Sequence, residues 1–259
     1  MQKALSSAEG NRCRSMAMRA AYLAQDRPDI QYAVKELARC MSAPTGLEWQ
    51  SLERLGRYLA YRPRLVLIYR PQFGCAFMGA RVDTDHAGCL KTRRSTNGGA
   101  LMHGKHTIKS WASTQSVIAL SSGEAEYYGA VKGASVLLGA LSLCKDLGIE
   151  LKGRVHTDSS AAKGMANRRG LGKTRHIDTQ YLWVQERLSA GSFELKKEGT
   201  DDNVGDPSLN TSSRLRLATS RPGWALWSAK ARPRSHFVLH RSSGQGSGAR
   251  LALLKPRLR

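Results

Sequence analysis

The stretch 117–141, VIALSSGEAEYYGAVKGASVLLGAL, decides the fold because it opens the longest helical pattern of the chain. Its apolar residues recur at helical spacing, and Ser121 or Ser122 can cap its amino end. Two glutamates, Glu124 and Glu126, lie in the opening turn, where acidic side chains also favour the positive end of the helix dipole. The stretch therefore predicts a long core helix and leaves open whether either glutamate has a further role.

The composition is that of a globular protein with a basic surplus. The chain has 259 residues, of which 41% are apolar, and a formal net charge of +21. Such a surplus suggests a polyanionic partner, most often nucleic acid. From Pro207 onward there are 11 Lys or Arg residues and no acid, so 21 minus 11 leaves +10 on the first 206 residues. The basic signal of the body is therefore moderate.

Cysteine usage and hydropathy bear on the compartment. Five cysteines are scattered without a CxxC pair, and no secretory segment precedes them, which favours a reduced intracellular setting, cytoplasmic or nuclear. No apolar run approaches the ~18 residues that a membrane span needs, so we expect no membrane association.

Two amphipathic patterns precede the region of strands. RPDIQYAVKELARCM and LEWQSLERLGRYLA each place apolar residues at steps of three and four, which marks one face of a helix. Pro28 suits a helix start and Pro44 a break between helices. The patterns predict a helical hairpin over residues 27–61.

From Leu65 the pattern changes to short apolar or alternating segments punctuated by glycine. Helices are expected at about 122–147 and at two later sites, and Gly104 with Lys105 is typical of a hairpin turn. This order predicts an α/β fold in which helices pack on a mixed sheet, and composition predicts a disordered basic tail from Leu209. The candidate strands are LVLIY, CAFMGARVD, GGALMHG, HTIKSWAS, ELKGRVHTD and SFELKKEG, and the two later helices are SSAAKGMANR and DTQYLWVQERLSAG.

Four acids lie at the ends of these predicted elements. Asp83 ends a strand, Glu126 lies in the first turns of the long helix, and Asp158 and Asp206 each follow a later strand. A cluster of carboxylates repels itself unless cations are present, and Mg²⁺ prefers such oxygen ligands. Two ions about 3.5–4 Å apart can hold the attacking and leaving oxygens of a phosphodiester. Any one of these acids alone is more often a solvated surface residue.

Six further motifs occur in an order that resembles the ribonuclease H domain of Ty1/copia-type retrotransposon Pol polyproteins. They are VDTDHAG, TRRSTNG, SWASTQSVIALSSGEAEYYGAV, VHTDSSAA, KTRHIDTQYLWVQE and GTDDNVGD. The segment RPDIQYAVKELARCMSAPTGLEWQSLERLGRYL resembles the part that joins reverse transcriptase to that domain.

The resemblance covers residues 27–206 and implies a ribonuclease H-like mixed five-stranded sheet flanked by helices. A helical hairpin would precede this sheet and a disordered basic tail would follow it. The implied division is an N-terminal extension (1–26), a connection segment (27–72), a ribonuclease H-like domain (73–208) and the tail (209–259).

The resemblance also implies an endonuclease that cuts RNA paired to DNA with two Mg²⁺ ions, for which Mn²⁺ can substitute. Asp83 rather than Asp85 would bridge both ions, and Glu126 rather than Glu124 would be a ligand with Asp158. Asp206 would complete the site. The expected partners are an RNA/DNA hybrid and the rest of a reverse transcriptase polyprotein. Candidate contacts to the hybrid are Arg93, Arg94, Lys109, Arg168, Arg169, Lys173 and Arg175.

Departures from the family pattern keep a second hypothesis open. Gly205 and Pro207 flank Asp206, and neither favours a helix interior. The chain could therefore be a catalytically inactive, nucleic-acid-binding remnant of such an element; an integrase-like nuclease fold is a weaker third possibility. No YxDD-type pair precedes Arg27, so we expect no polymerase activity. His176 is predicted to cap a helix or line a substrate loop rather than shuttle protons.

Overall fold

The computed structural model describes residues 4–89, 91–172 and 175–198. Two of the predicted functional residues, Lys173 and Asp206, lie outside the described residues, and so does the predicted tail 209–259. Their assignments stay predictions.

Three helices form an amino-terminal unit, α1 (Ser7–Leu23), α2 (Gln31–Arg39) and α3 (Gly46–Tyr61). The predicted helical hairpin is confirmed as α2 and α3. The sequence pattern did not reveal α1, although Ser6 and Glu9 form a capping box at its start. The three helices share a buried cluster. Helix α1 contributes Cys13, Ala17 and Ala20, and the other two helices contribute Leu37, Leu52 and Leu55 among others.

A mixed five-stranded sheet follows, in the order β3-β2-β1-β4-β5. The first three strands are antiparallel neighbours, whereas β4 runs parallel to β1 and β5 parallel to β4. This arrangement confirms the predicted α/β fold with a ribonuclease H-like mixed five-stranded sheet. The strands are β1 (Phe77–Asp85), β2 (Thr96–His103), β3 (His106–Thr114), β4 (Lys152–Thr157) and β5 (Glu194–Lys197).

The long helix α4 (Ser122–Asp146) packs on one face of this sheet, above β1 and β4. Two glycines permit the close approach. A Cβ added at Gly133 would lie 2.4 Å from Val82 Cγ1, and one added at Gly129 would lie 2.4 Å from Thr84 Oγ1. The helix axis can therefore lie nearer to β1 than larger residues would allow.

By length and composition alone α4 is apolar enough to cross a membrane, although no apolar run of that length was predicted from the sequence. In the structure, however, its apolar residues pack against the sheet. Ala125, Ala134 and Leu137 are fully buried there together with Val82 and Val155. The packing of α4 is that of the central core helix of this domain.

Two shorter helices complete the domain, α5 (Ser160–Asn167) and α6 (Trp183–Ser189). The prediction of a strand at LVLIY (65–69) is wrong, because this segment has no regular secondary structure. Its side chains instead contact the β2–β3 hairpin, where the Tyr69 hydroxyl donates to the Thr107 carbonyl at 2.9 Å. The predicted hairpin turn is confirmed, since Gly104 has a φ of +59° between paired strands.

The amino-terminal unit contacts the sheet through α2. Lys35 Nζ lies 2.8 Å from Thr96 Oγ1, and Gln31 Nε2 donates to the Ser110 carbonyl at 3.3 Å. Thr96 pairs with Asp85 in the β1–β2 register. Successive residues of β1 point to opposite faces of the sheet, and Asp85 is on the face that does not pack against α4. Helix α2 therefore covers the sheet face opposite α4.

Candidate metal centre and nucleic-acid interface

Three of the four predicted acids come together at one edge of the sheet. One ligand oxygen from each of Asp83, Glu126 and Asp158 lies within 4.8 Å of the other two. Asp83 is near the carboxyl end of β1, and Asp158 directly follows the parallel strand β4. Because Arg81 pairs with His156 in the parallel register, the two aspartates occupy matching positions two residues further on.

The third acid, Glu126, is brought to this edge by the glycine face of α4. Glu126 precedes Gly129 by three residues and Gly133 by seven, so all three lie on one face of the helix. The glycines hold that face against β1, and Glu126 therefore extends towards the ends of the strands. One of its carboxylate oxygens is buried.

The donor set suits a hard divalent cation. Three carboxylates within 4.8 Å of one another repel strongly in a partly buried setting unless a cation compensates their charge. Mg²⁺ and Mn²⁺ take oxygen ligands, whereas the soft thiolate ligands that favour other metals are lacking among these three residues. Asp206, the predicted fourth ligand, lies outside the described residues.

The neighbouring acid, Glu124, has a different environment. It is only 2% exposed, and its carboxylate accepts hydrogen bonds from the Tyr128 hydroxyl at 2.8 Å and from the Leu120 amide at 3.2 Å. His176 Nε2 lies 2.8 Å from the same carboxylate. Ser121, one of the two residues predicted to cap α4, is the N-cap. The buried Glu124 carboxylate therefore connects α4 with the segment before it and with the loop after α5, a role that its place in the first turn did not reveal.

Arg93 and Arg94 lie exposed in the loop between β1 and β2. This loop leaves the sheet at the same end as Asp83. Its backbone is tightly turned, since Ala87 and Arg93 both have positive φ values of 53° and 54°. These two predicted contact residues therefore belong to a loop at the same end of the sheet as the three acids.

Helix α2 fixes the β1–β2 loop through Cys89. Arg39 Nη2 lies 2.8 Å from Cys89 Sγ, and the Thr92 amide donates to the same sulfur at 3.4 Å. Burial raises the pKa of the Cys89 thiol, but hydrogen bonds from Thr92 and Arg39 outweigh it and lower the pKa to about 7. A guanidinium of the amino-terminal unit thus holds the loop that carries Arg93 and Arg94.

A second group of predicted basic residues follows α5. Arg168 is half-buried, while Arg169 and Arg175 are exposed. Gln185 of α6 holds this loop by accepting from the Gly170 amide at 2.9 Å and donating to its carbonyl at 3.2 Å.

Lys109 lies apart from the other predicted contacts. It is exposed on β3 opposite Leu101, which in turn pairs with Ala80, three residues before Asp83. At about 3.3 Å per residue this row is roughly 10 Å along the strands from the carboxylate edge. Lys109 therefore does not join the cluster.

Sequence comparison shows that the chain is similar to known Pol polyproteins. The retrovirus-related Pol polyprotein of transposon RE2 from Arabidopsis thaliana is 33% identical to the chain over 198 residues, which are 75% of this chain. The corresponding polyprotein of transposon RE1 from the same plant is 33% identical over 197 residues, or 74% of the chain. The chain is homologous to a segment of copia-type retrotransposon Pol polyproteins. No protein-family model matches it.

The chain spans only 14% of the RE2 polyprotein and 13% of the RE1 polyprotein. Among solved structures, the N-terminal RNase H domain of Rv2228c from Mycobacterium tuberculosis matches 49% of this chain and 86% of that chain, with 18% identity and a TM-score of 0.34.

Proposed function

We propose that this copia-type segment is an endonuclease that hydrolyses the RNA strand of RNA/DNA hybrids. The observation that carries the proposal is the convergence of Asp83, Glu126 and Asp158, from three separate elements, to within 4.8 Å. Homology to retrotransposon Pol polyproteins supports a nucleic-acid substrate. The rest of a reverse transcriptase polyprotein would be its natural partner.

Asp83, Glu126 and Asp158 would hold divalent cations, with Asp206 as the fourth ligand. Bound Mg²⁺ or Mn²⁺ would activate water and neutralise the charge that develops on the scissile phosphate. The fit rests on the oxygen-only donor set and on the proximity of the three carboxylates, whose ligand oxygens lie within 4.8 Å of one another.

Basic residues on either side of this edge would bind the hybrid backbone. Arg93 and Arg94 flank it on the β1–β2 loop, and Arg169 and Arg175 follow α5. Contacts to phosphates carry no base information, so cleavage would show little sequence preference. Selection of RNA would depend on contacts to the 2′-hydroxyl groups in the minor groove.

The test is cleavage of a hybrid whose RNA strand is labelled, with Asp83→Asn beside a matched Asp85→Asn variant. Both substitutions remove one carboxylate charge from the same strand end. We expect Asp83→Asn to lower the cleavage rate by about 10³-fold because it removes a metal ligand, and Asp85→Asn to lower it by less than about tenfold. Chelation with EDTA should abolish cleavage and added Mg²⁺ should restore it.

Other outcomes separate the inactive remnant from the enzyme. Hybrid binding without cleavage in Mg²⁺ and in Mn²⁺ would favour the remnant. Cleavage that survives Asp83→Asn would refute the assigned centre. Asp206→Asn, measured in the same assay, then tests whether the predicted fourth ligand takes part.

A further inference from the structure

One hydrogen bond joins the first turn of α4 to the loop that follows α5. Glu124 Oε2 and His176 Nε2 are 2.8 Å apart, although the two residues are far apart in sequence. Glu124 is buried at 2% exposure, whereas the side chain of His176 is 44% exposed. A carboxylate only accepts, so Nε2 of His176 carries the proton in this bond. Hydrogen bonds to a charged acceptor are about twice as strong as neutral ones.

We propose that Glu124 and His176 are positioning residues that hold the described parts of the basic loop, residues 168–172 and 175–178, against the first turns of α4, which also carry Glu126. In this arrangement Arg169 and Arg175 are presented to the phosphates of the hybrid. The inference rests on the proposed function and assigns a role to two residues that the metal centre itself does not use.

The basic loop needs such a tie because its own backbone is permissive. Gly170 and Gly172 have φ values of +74° and +56°, a region that glycine enters without strain and leaves as easily. Gln185 fixes the loop at Gly170, and near its other end Ile177 is buried at 4% exposure. The hydrogen bond between His176 and Glu124 fixes the part of the loop that adjoins Arg175.

Glu124 fixes the basic loop relative to Glu126, because both glutamates lie on the same helix. It precedes Glu126 by two residues, which corresponds to about 3 Å along the helix axis and about 200° around it. The two carboxylates therefore extend to different sides of the same rigid helical turn. Tyr128 and the Leu120 amide hold Glu124 in place, so the tie point does not move relative to Glu126.

The affinity for the hybrid, measured in a variant that does not cleave it, reports on the positioning role of Glu124 and His176. In an Asp83→Asn background, fluorescence anisotropy gives the Kd of a labelled hybrid for each variant. We expect His176→Ala to raise the Kd about tenfold and to lower the slope of log K against log salt by about 1 to 2, because two phosphate contacts are lost. His176→Gln keeps a donor near the position of Nε2 and should remain within about threefold of the parent.

A matched control and a double substitution separate positioning from general damage. His106 lies in the β2–β3 hairpin, at the end of the sheet opposite Asp83, and His106→Ala should leave both Kd and slope unchanged. With Arg169→Ala and Arg175→Ala already present, His176→Ala should add no further loss of affinity. In the cleavage-competent chain, His176→Ala should raise KM and leave kcat unchanged. A fall in kcat at constant KM, or fully additive losses of affinity, would overturn the proposal.

Hydrogen exchange makes the test independent of activity. If the intact chain neither binds nor cuts the hybrid, the proposed function fails, and exchange of the backbone amides still reports on the tie. Faster exchange at 168–172 and 175–178 in His176→Ala, without change in β1, would support the tie between the loop and α4. Unchanged exchange in the loop would overturn it.

Discussion

The two sides of the first turns of α4 perform different tasks with the same residue type. On one side Glu126 shares a face with Gly129 and Gly133, which lie directly against β1. On the other side Glu124 is enclosed by Tyr128, the Leu120 amide and His176. One glutamate thus reaches an edge where carboxylates gather, and its neighbour joins three segments of chain.

The contrast shows that the packing of the helix, rather than the acidic residue itself, determines the role. A carboxylate among other carboxylates has unfavourable energy until a cation binds. A carboxylate surrounded by donors is satisfied by the protein alone. Replacing each glutamate by glutamine should therefore have opposite consequences for activity and stability.

Glu126→Gln should have the strongest effect on activity. We expect a fall of about 10³-fold in cleavage, because a metal ligand is lost, with the free energy of unfolding unchanged or raised as repulsion with Asp83 and Asp158 decreases. Glu124→Gln should instead lower the free energy of unfolding by about 1–3 kcal/mol, since the buried acceptor loses its charge-assisted bonds. Urea unfolding and the hybrid cleavage assay measure the two quantities.

The pair also gives an internal check. If Glu124→Gln abolished cleavage as completely as Glu126→Gln while both variants kept their stability, the assignment of different roles to the two glutamates would be wrong. Metal affinity, followed by the quenching of a fluorophore on addition of Mn²⁺, should fall in Glu126→Gln only.

Much of this fold could be predicted from the sequence. The helical spacing of apolar residues in α2 and α3 is strong because the buried positions carry large aliphatic side chains such as Leu37 and Leu55. Helix α1 escaped prediction because its buried positions are Cys13, Ala17 and Ala20, which contrast little with their surroundings on a hydropathy scale. Small residues at close helix contacts leave a weak periodic signal.

The segment LVLIY shows the opposite error. Its composition is that of a strand, but a strand also needs a partner with free backbone groups. The segment contacts the β2–β3 hairpin through the side chain of Tyr69 instead, and Gln72, three residues later, also contacts the hairpin. Val66 and Ile68 remain exposed. Local propensity does not contain that tertiary alternative.

The candidate site divides in the same way. The resemblance to a known family singled out Asp83, Glu126 and Asp158, and the structure brings these three together. The bond between Glu124 and His176 could not be foreseen, because it joins residues whose proximity arises only from the folded path of the loop after α5. Long-range polar contacts of this kind carry no periodic signature.

The close approach of α4 to β1 can be tested with two glycines of the same helix. In Gly133→Ala the new Cβ would lie 2.4 Å from Val82 Cγ1, so we expect a loss of about 1–3 kcal/mol from overpacking. Gly139 has nothing within 4 Å of an added Cβ, and Gly139→Ala should stabilise the chain by about 0.5–1 kcal/mol through helix propensity. Thermal and urea unfolding should give opposite signs.

If Gly133→Ala and Gly139→Ala shifted stability equally, the close contact with β1 would be wrong. Cleavage gives a second measure, since a helix displaced at Gly133 also carries Glu126 away from Asp83. Gly139→Ala, two turns further along and exposed, should leave the rate unchanged.

The smallest effect distinguishes two adjacent tyrosines on the enclosed side of α4. Tyr128 donates to the Glu124 carboxylate at 2.8 Å, and burial together with this bond raises the pKa of its hydroxyl. Tyr127 donates to the neutral Tyr181 carbonyl, also at 2.8 Å. Loss of a bond to a charged group costs about 1.5–3 kcal/mol and of a neutral one about 0.5–1.5 kcal/mol. Tyr128→Phe should therefore destabilise the chain more than Tyr127→Phe in urea unfolding. Equal losses would mean that Glu124 contributes no charge to this network, and its role would then be that of a neutral acceptor.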